Sequence, residues 1–416
     1  MEKTFWDAAI VGGGAAGLAA GVMAARAGLR TVILEKQPRV GRKLMATGNG
    51  TCNITNMQAD PNRYHGAQAE FVRPALAAFS PADTCSFFSS IGVECAARPD
   101  GRVYPICAQA SAVLDCLRLE LEASGVEELC GCAVNAIKQH NGGFALETEA
   151  GEVRAGQVLL CTGGAAAPGL GGGNQGYTLL YAFGHDRTPL FPSIVQVKAD
   201  TQWIRALKGV RVEGAVAFQL NGSPCGREEG EILFTEYGLS GPAVMQISRC
   251  VGDWERKKQG QMEAVLDLLP AYSREQLRDM LTMRRDLPGR TLEDLLTGLL
   301  QKRLGQTVLR ASGCLPLSRP AASLMDKELD AVAGCIKGWV IPVTGTQGFG
   351  GAQVTAGGMN TALFDSETME SRLAPGLYAA GEILDVDGDC GGFNLQWAWA
   401  SAHAAVTAMA RKGAGR

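Results

Sequence analysis

Residues 5–36, FWDAAIVGGGAAGLAAGVMAARAGLRTVILEK, decide the fold. Phe5 to Val11 is an apolar run of strand length, and Gly12-x-Gly14-x-x-Gly17 follows it directly. An alanine-rich helical pattern then runs from Ala15 to about Ala27, where Gly28 stops it. Arg30 to Leu34 is a second β-type run closed by Glu35, 18 residues after Gly17. That spacing is close to the roughly 20 residues between glycine turn and ribose-binding acid in dinucleotide-binding units. Each part has a physical task. Gly12 permits the tight turn, Gly14 lets backbone approach a pyrophosphate, and Gly17 lets the helix pack close to the sheet. The helix N-terminus faces the phosphate charge, with Ala15 and Ala16 in its first turn. Glu35 is placed to accept hydrogen bonds from an adenosine ribose, with Lys36 beside it. A lone glycine pattern is weak evidence; here the strand before it, the helix after it and the acid beyond it agree.

The segment after Glu35 is rich in glycine, asparagine and basic residues: Gly41-Arg42-Lys43-Leu44-Met45-Ala46-Thr47-Gly48-Asn49-Gly50-Thr51-Cys52-Asn53-Ile54-Thr55-Asn56. It reads as turns with many donors rather than a regular helix or strand. Arg42 and Lys43 would complement a diphosphate, and Thr47, Gly48, Asn49, Gly50, Cys52 and Asn53 line the same candidate cofactor loop. Further on, 112–125 reads as a helix, and Val134–Ile137, Gly143–Glu149 and Glu152–Ala155 as short antiparallel strands. Val158 to Cys161 is a buried strand that ends in the turn Thr162-Gly163-Gly164 and re-enters the parallel sheet. A second formal match, Gly171-x-Gly173-x-x-Gly176, lacks a preceding strand and a ribose acid. It reads as a loop leading into a helix Tyr177–Phe183.

The C-terminus supplies the other half. Gly376 to Glu382 is an apolar strand ending in Gly381-Glu382, and a glycine turn leads into an alanine-rich helix from about Leu395 to Ala410. A nicotinamide dehydrogenase needs no such second anion site; an FAD protein does. Glu382 can hold ribityl hydroxyls, and the amides of Gly391, Gly392, Phe393, Asn394 and Leu395 can face the flavin O2 edge. Asp385, Asp387 and Asp389 crowd the loop before that helix, to tune the flavin or to cap turns; Asp387 is counted with the cofactor residues. No His or Cys has a spacing that argues for a covalent flavin link.

Between the halves the glycine punctuation changes. Residues 194–220 and 261–268 alternate in β fashion, and 273–337 are helical, with Ser273 and Thr291 as N-caps. The expected architecture is α/β: a Rossmann-like, glutathione-reductase-type FAD domain from 1–191 and 343–416, with an inserted domain at 192–342. The insertion divides into a β-barrel at 192–270 and a helical part at 271–342. Such an insertion covers the cofactor and shapes a substrate pocket.

Bulk properties exclude several classes. At 416 residues the chain exceeds one ordinary core. Its 46% hydrophobic and 19% charged content is globular. A net charge of −3 without a basic block outside the tail argues against nucleic acid as a partner. No run reaches the ~18 apolar residues of a membrane span. The apolar N-terminus carries Arg26 and the glycine fingerprint, so it reads as fold rather than signal peptide. Thirteen scattered cysteines without a CxxC pair point to reduced thiols in a cytoplasm and to no zinc site. Cys52 and Cys390 flank the candidate flavin, as a redox pair or as inert thiols. With four histidines and no nucleophile motif, a histidine-based hydrolase is excluded.

Four segments together resemble the BaiN-type NAD(P)/FAD-dependent oxidoreductases, also described as aminoacetone-oxidase-like FAD-binding enzymes. They are Val11–Gly17; Gly41-Arg42-Lys43 with Thr47 to Asn56; Leu233-Phe234-Thr235-Glu236-Tyr237-Gly238-Leu239-Ser240-Gly241-Pro242; and Gly376–Glu382 with Gly391 to Trp399. The resemblance spans essentially the whole chain. It implies a two-part FAD domain with an inserted barrel and helical unit, non-covalent FAD, and NADH or NADPH as reductant. One branch of that family resembles reductases of conjugated 3-oxo-Δ4 or Δ6 bile-acid intermediates; another name points to amine oxidation. Many relatives carry His where this chain has Glu236, so that position takes no catalytic role here. The expected reaction is hydride transfer to an activated C=C bond, with Tyr237 as candidate acid; the alternative for Tyr237 is a tyrosine hydrogen-bonded to backbone. An amine oxidase using O₂ and a flavin redox sensor are the competing functions.

Overall fold

In a computed structural model, residues 5–140 and 142–413 are described. The chain divides into two compact units: residues 1–191 with 353–416, and residues 192–352.

In the first unit, the strand Phe5–Val11 is followed by the helix Ala15–Arg26 and the strand Thr31–Glu35. Phe5–Val11 lies between Thr31–Glu35 and Gly151–Leu160, parallel to both, and Glu127–Cys130 extends the sheet beyond Thr31–Glu35. The sheet's central strands are buried runs of Ala, Ile, Val and Leu, as a sheet covered on both faces requires. Each fully buried Ile or Leu here, such as Ile10, Ile33 and Leu160, contributes about 1.5–3 kcal/mol of transfer free energy. The helix Ala15–Arg26 is built from small residues because it is wedged tightly. A Cβ on Gly21 would lie 2.8 Å from both Ile33 Cδ1 and Leu121 Cδ2, the latter on the helix Ala110–Ala123.

Gly151–Leu160 is one strand where the sequence pattern suggests two. Its first half pairs antiparallel with Gly143–Thr148, and its second half pairs parallel with Leu377–Ala379 (Val158 opposite Leu377, Leu160 opposite Ala379). The C-terminal half of the unit thus docks directly on the strand that neighbours Phe5–Val11. The helix Phe393–Gly413 buries Trp397 and Trp399 completely. Their indole N–H groups donate to Gly381 O at 3.1 Å and Ile54 O at 2.9 Å, so neither polar edge is stranded. The 41–56 segment contains a short helix, Arg42–Met45, where the sequence suggests only turns. The helix predicted over Tyr177–Phe183 runs over Gln175–Tyr181.

The second unit holds a closed six-stranded barrel. Around it run Val197–Ala199, Gly238–Ser240, Ser223–Phe234, Arg211–Leu220, Met262–Asp267 and Trp339–Thr346, all antiparallel. The last strand corrects the expected boundary. A cut at 342/343 falls inside Trp339–Thr346, and the barrel is completed only after the helical part. That part comprises the helices Arg274–Arg285, Lys302–Ala311 and Asp326–Lys337. Leu277, Leu281, Leu304, Val308, Leu329 and Ile336 share one core cluster with the barrel. The helix expected from Thr291 is a single 3-10 turn at Leu292–Asp294, and Gly298 in the left-handed region separates it from Lys302.

Candidate cofactor site

The glycine turn is fixed by close backbone contacts. Gly12 has φ +106°, its N–H donates to Leu34 O at 2.8 Å, and a Cβ there would lie 2.5 Å from Cys161 O. A Cβ on Gly17 would overlap the Gly12 carbonyl oxygen. Gly14 differs: a Cβ there would meet nothing within 4 Å. Gly12 and Gly17 therefore serve the protein's own packing, whereas Gly14 faces open space at the start of Ala15–Arg26. That helix has no side-chain cap and no acid in its first turn, so its first amides, including those of Ala15 and Ala16, are left for an anion.

Glu35 stands beside this turn. Its Oε2 accepts from Gly13 N at 2.7 Å and its Oε1 from Gln37 N at 2.7 Å. A carboxylate offers about four acceptor positions, so lone pairs remain for ribose hydroxyls. Lys36 Nζ lies near Gly173 in the Gly171–Gly173 loop. Arg42 donates to Gln37 Oε1 and, at 3.1 Å, to Gly169 O. Lys43 Nζ donates to Glu382 Oε2 at 2.6 Å. The two basic residues expected to complement a diphosphate are thus also intramolecular anchors, and Lys43 ties the N-terminal segment to the C-terminal one.

The remaining loops converge through glycines and buried polar groups. Thr47 Oγ1 donates to Leu44 O at 2.6 Å, and Cys52 N donates to Thr47 O at 3.0 Å, which draws Gly48, Asn49 and Gly50 into a tight loop. Asn53 Oδ1 is buried and accepts no hydrogen bond. A Cβ on Gly392 would lie 2.5 Å from Thr55 O and 3.0 Å from that same Asn53 Oδ1. Asn56 Nδ2 donates to Gly391 O at 2.8 Å. Thr55 Oγ1 donates to Gln396 Oε1 at 2.6 Å, and Tyr64 OH to Phe393 O at 3.1 Å. The Asn394 amide brackets Gly388, accepting from its N–H and donating to its carbonyl, each at 2.8 Å, while Leu395 is partly buried behind it. The helix Phe393–Gly413 again has no acid in its first turn.

At the end of Gly151–Leu160, Thr162 Oγ1 is buried without a partner among the described residues, as is Tyr177 OH. Gly163 follows Thr162, and Gly164 packs so closely that a Cβ would lie 2.5 Å from Thr355 Oγ1 and 2.8 Å from Glu382 Oε1. Glu382 Oε1 accepts from Thr355 N at 2.9 Å, and Gly381 N donates to Ser401 Oγ at 2.9 Å.

These features fit FAD. Three buried polar atoms, Asn53 Oδ1, Thr162 Oγ1 and Tyr177 OH, each need a partner that the described residues do not supply. Two helix starts without an acid in the first turn, and a glycine facing open space, add sites for a diphosphate and for the electron-rich ring edge. Neutral donors and acceptors at that edge match a group whose charge changes with redox state.

The acidic cluster has a structural explanation. Asp385 Oδ2 accepts from Ala67 N at 3.0 Å, and the Asp389 carboxylate pairs with His65 at 2.8 Å and Arg63 at 3.3 Å. Asp387 is fully buried and sits opposite His65 in a short antiparallel pair. These contacts tie residues 63–67 to the loop that opens the last helix. Burial pushes the Cys52 thiol up to about 11 and raises Cys390 as well. Both thiols are held protonated, which favours inert cysteines over a redox pair.

Tyr237 lies in the second unit, in the turn Thr235–Gly238 between two barrel strands. Thr235 Oγ1 closes that turn on Gly238, and Lys208 pairs with Glu236 at 2.6 Å. Tyr237 is half-buried, and among the described residues its hydroxyl has no hydrogen-bond partner.

Sequence reasoning missed Thr355, Asn56, Tyr64 and the His65–Asp389 pair. Thr355 had a legible signal, the short apolar run Val354–Ala356 before Gly357-Gly358. Among the described residues no cluster of His, Cys, Asp and Glu could hold a metal ion, and no helix is long and apolar enough to cross a membrane.

The profile described as "HI0933-like protein Rossmann domain" matches residues 6–408. A 3-dehydro-bile acid delta(4,6)-reductase of Clostridium scindens is 37% identical over 408 residues, covering 97% of this chain and 98% of its own. A ribosomal RNA dihydrouridine synthase of Escherichia coli is 32% identical over 409 residues, covering 97% of each. A 3-ketosteroid delta1-dehydrogenase of Sterolibacterium denitrificans shares the fold, with TM-score 0.51, 12% identity, and coverage of 98% of this chain and 100% of its own. A quinol-fumarate reductase also shares it, with TM-score 0.52, 18% identity, and coverage of 100% of this chain and 72% of its own. The chain belongs to the HI0933-like Rossmann family of FAD-binding oxidoreductases, and it is a flavoprotein oxidoreductase.

Proposed function

We propose that this enzyme takes reducing equivalents from NADH or NADPH and reduces a carbon–carbon double bond conjugated to a ketone, on a small substrate of the 3-oxo-Δ4 steroid or bile-acid class. The observation that carries this reading is the 37% identity, across 97% of the chain, to a bile-acid delta(4,6)-reductase. FAD, when bound, supplies hydride transfer at its N5. The chain's own part is to bind, orient and protonate. Gly12 to Gly17 and Glu35 hold the adenosine diphosphate, the 47–53 loop and Glu382 the middle of the cofactor, and residues 391–394 the ring edge. A hydride added at the β carbon of an enone requires a proton at the α carbon, and Tyr237 is our candidate donor.

The rRNA-directed relative offers a second substrate class. Charge favours the small molecule. Affinity for RNA comes largely from Lys and Arg neutralising phosphates, and this chain is net −3 with pI near 5.9. Many of its basic side chains are already paired, among them Lys208 with Glu236, Arg211 with Glu231, Arg227 with Glu229 and Lys257 with Asp253. The thirteen free thiols support a reducing, cytoplasmic setting.

The test is anaerobic stopped-flow absorbance. The yellow protein is mixed with NADH or NADPH, then with a 3-oxo-Δ4 steroid, with unmodified rRNA fragments, or with air. Fast bleaching by a nicotinamide and fast recovery with the enone support the proposal. Recovery with rRNA alone replaces the substrate class. Bleaching by small amines only, with rapid recovery in air, overturns the reductase in favour of an oxidase. Tyr237→Phe is expected to lower the enone step by roughly 10²-fold while leaving nicotinamide bleaching unchanged.

A further inference from the structure

Cys225 and Cys250 lie 25 residues apart in the inserted unit, and their sulfurs are 3.2 Å apart. Two features of the backbone bring them together. Gln219 pairs with Pro224 and Phe218 with Gly226, so Cys225 is the extra residue of a β-bulge in the hairpin Arg211–Phe234. A bulge re-aims the side chain it carries, and here the side chain is directed to the helix Arg249–Lys257. The next residue, Gly226, is the point of closest approach: a Cβ there would lie 3.1 Å from Ile247 Cβ and 3.9 Å from Cys250 Sγ. A larger residue would push the strand away from the helix and part the sulfurs. Cys225 is exposed, and Cys250 is half-buried behind it. One thiol is reachable by a solute, and the other is reachable by its neighbour.

We propose that Cys225 and Cys250 form a redox-active dithiol that closes to a disulfide by exchange with small disulfides, with Cys225 as the attacking sulfur and Cys250 as the resolving one. The sulfurs need to approach by about 1.2 Å to reach the ~2.05 Å of an S–S bond. In the first step the Cys225 thiolate attacks one sulfur of oxidised glutathione, breaks its S–S bond and releases one glutathione thiolate. In the second the Cys250 sulfur attacks Cys225 Sγ and releases the other. Two protein thiols are oxidised, one glutathione disulfide is reduced, and the two thiol protons end on two glutathione molecules. The acid–base order agrees with these roles. The contact between the two sulfurs lowers the Cys225 thiol, while that contact and burial raise Cys250. The site stands independently of the reaction proposed above.

The chain itself supplies controls. Cys107 and Cys130 are also exposed. The holoprotein is treated with oxidised glutathione, the remaining thiols are alkylated, and tryptic peptides are mapped by mass. Cleavage after Arg211, Arg227, Arg249 and Arg256 separates the two cysteines onto different peptides. The expected product is peptide 212–227 linked to 250–256, released by dithiothreitol, with glutathione retained on Cys107 or Cys130. In Cys250→Ser the resolving step is lost, and glutathione stays on Cys225. Glutathione retained on wild-type Cys225 without a linked peptide overturns the proposal. So does an unmodified Cys225 beside glutathionylated Cys107 or Cys130.

Discussion

Two helices, one from each unit, begin in opposite ways. In the nucleotide unit, Ala15–Arg26 opens on Gly14 with no side-chain cap and no acid in its first turn. In the inserted unit, Arg274–Arg285 opens on Ser273. Its hydroxyl accepts from Gln276 N at 3.1 Å, while the Gln276 side chain accepts from Ser273 N at 2.8 Å. One helix start is closed by its own sequence; the other is left open for a ligand. The difference teaches where binding free energy is held in reserve. A capped helix spends its end on folding, worth about 1 kcal/mol, and an uncapped one keeps its amides for an anion.

That contrast can be broken experimentally. The largest effect is expected at Gly17, where any side chain meets the Gly12 carbonyl. Gly17→Val should cost about 3 kcal/mol or more in the nucleotide unit and leave the protein without flavin, read by thermal melting and flavin content. Next comes Gly14, which meets nothing. Gly14→Val should leave the apoprotein melting point nearly unchanged but weaken FAD affinity roughly 100-fold, or about 2.7 kcal/mol, measured by fluorescence titration. A large fall in apoprotein stability would show that Gly14 packs the fold as Gly17 does. Ser273→Ala should reverse the pattern, losing about 1 kcal/mol of stability with flavin content intact.

The smallest effect separates the units by acid. All four histidines belong to the nucleotide unit. Burial holds His185 and His403 below the usual imidazole range. His185 Nδ1 lies 3.1 Å from Leu180 O, and its Nε2 accepts from Ser371 Oγ at 2.9 Å, an arrangement for the neutral ring. The folded pKa lies below the unfolded value of about 6.5, so the unfolded chain takes up protons first. The stability is present above that pH and is lost as pH falls from about 6.5 through the folded values. Calorimetry at mildly acid pH should show the nucleotide unit's transition falling before that of the inserted unit. Equal shifts in both would remove the histidines as the cause.

The first unit was legible because its information is local. Strand, glycine turn, helix and acid lie within residues 5–35, and each step has a backbone reason. The contacts that complete the cofactor site are not local. Lys43 meets Glu382, Asn56 meets Gly391 and His65 meets Asp389 across more than three hundred residues, and no periodicity records such pairs. The sequence of Gly151–Leu160 suggests two strands because its two halves have different partners and so different burial. The expected boundary at 342/343 falls inside the strand Trp339–Thr346, whose Pro342 can donate no ladder hydrogen bond.

The strand Leu377–Ala379, seated on Gly151–Leu160, also sets a schedule. During synthesis the first βαβ segment leaves the ribosome early, yet its sheet waits for an edge made more than two hundred residues later. The inserted unit can close its barrel as soon as Trp339–Thr346 emerges, while residues 391–394 are still being added or confined in the exit tunnel. Flavin capture is therefore among the last events of biogenesis. A chain truncated anywhere before the final helix would present the adenosine half of the site and lack the ring half, and it would be exposed to proteases without the cofactor's stabilisation.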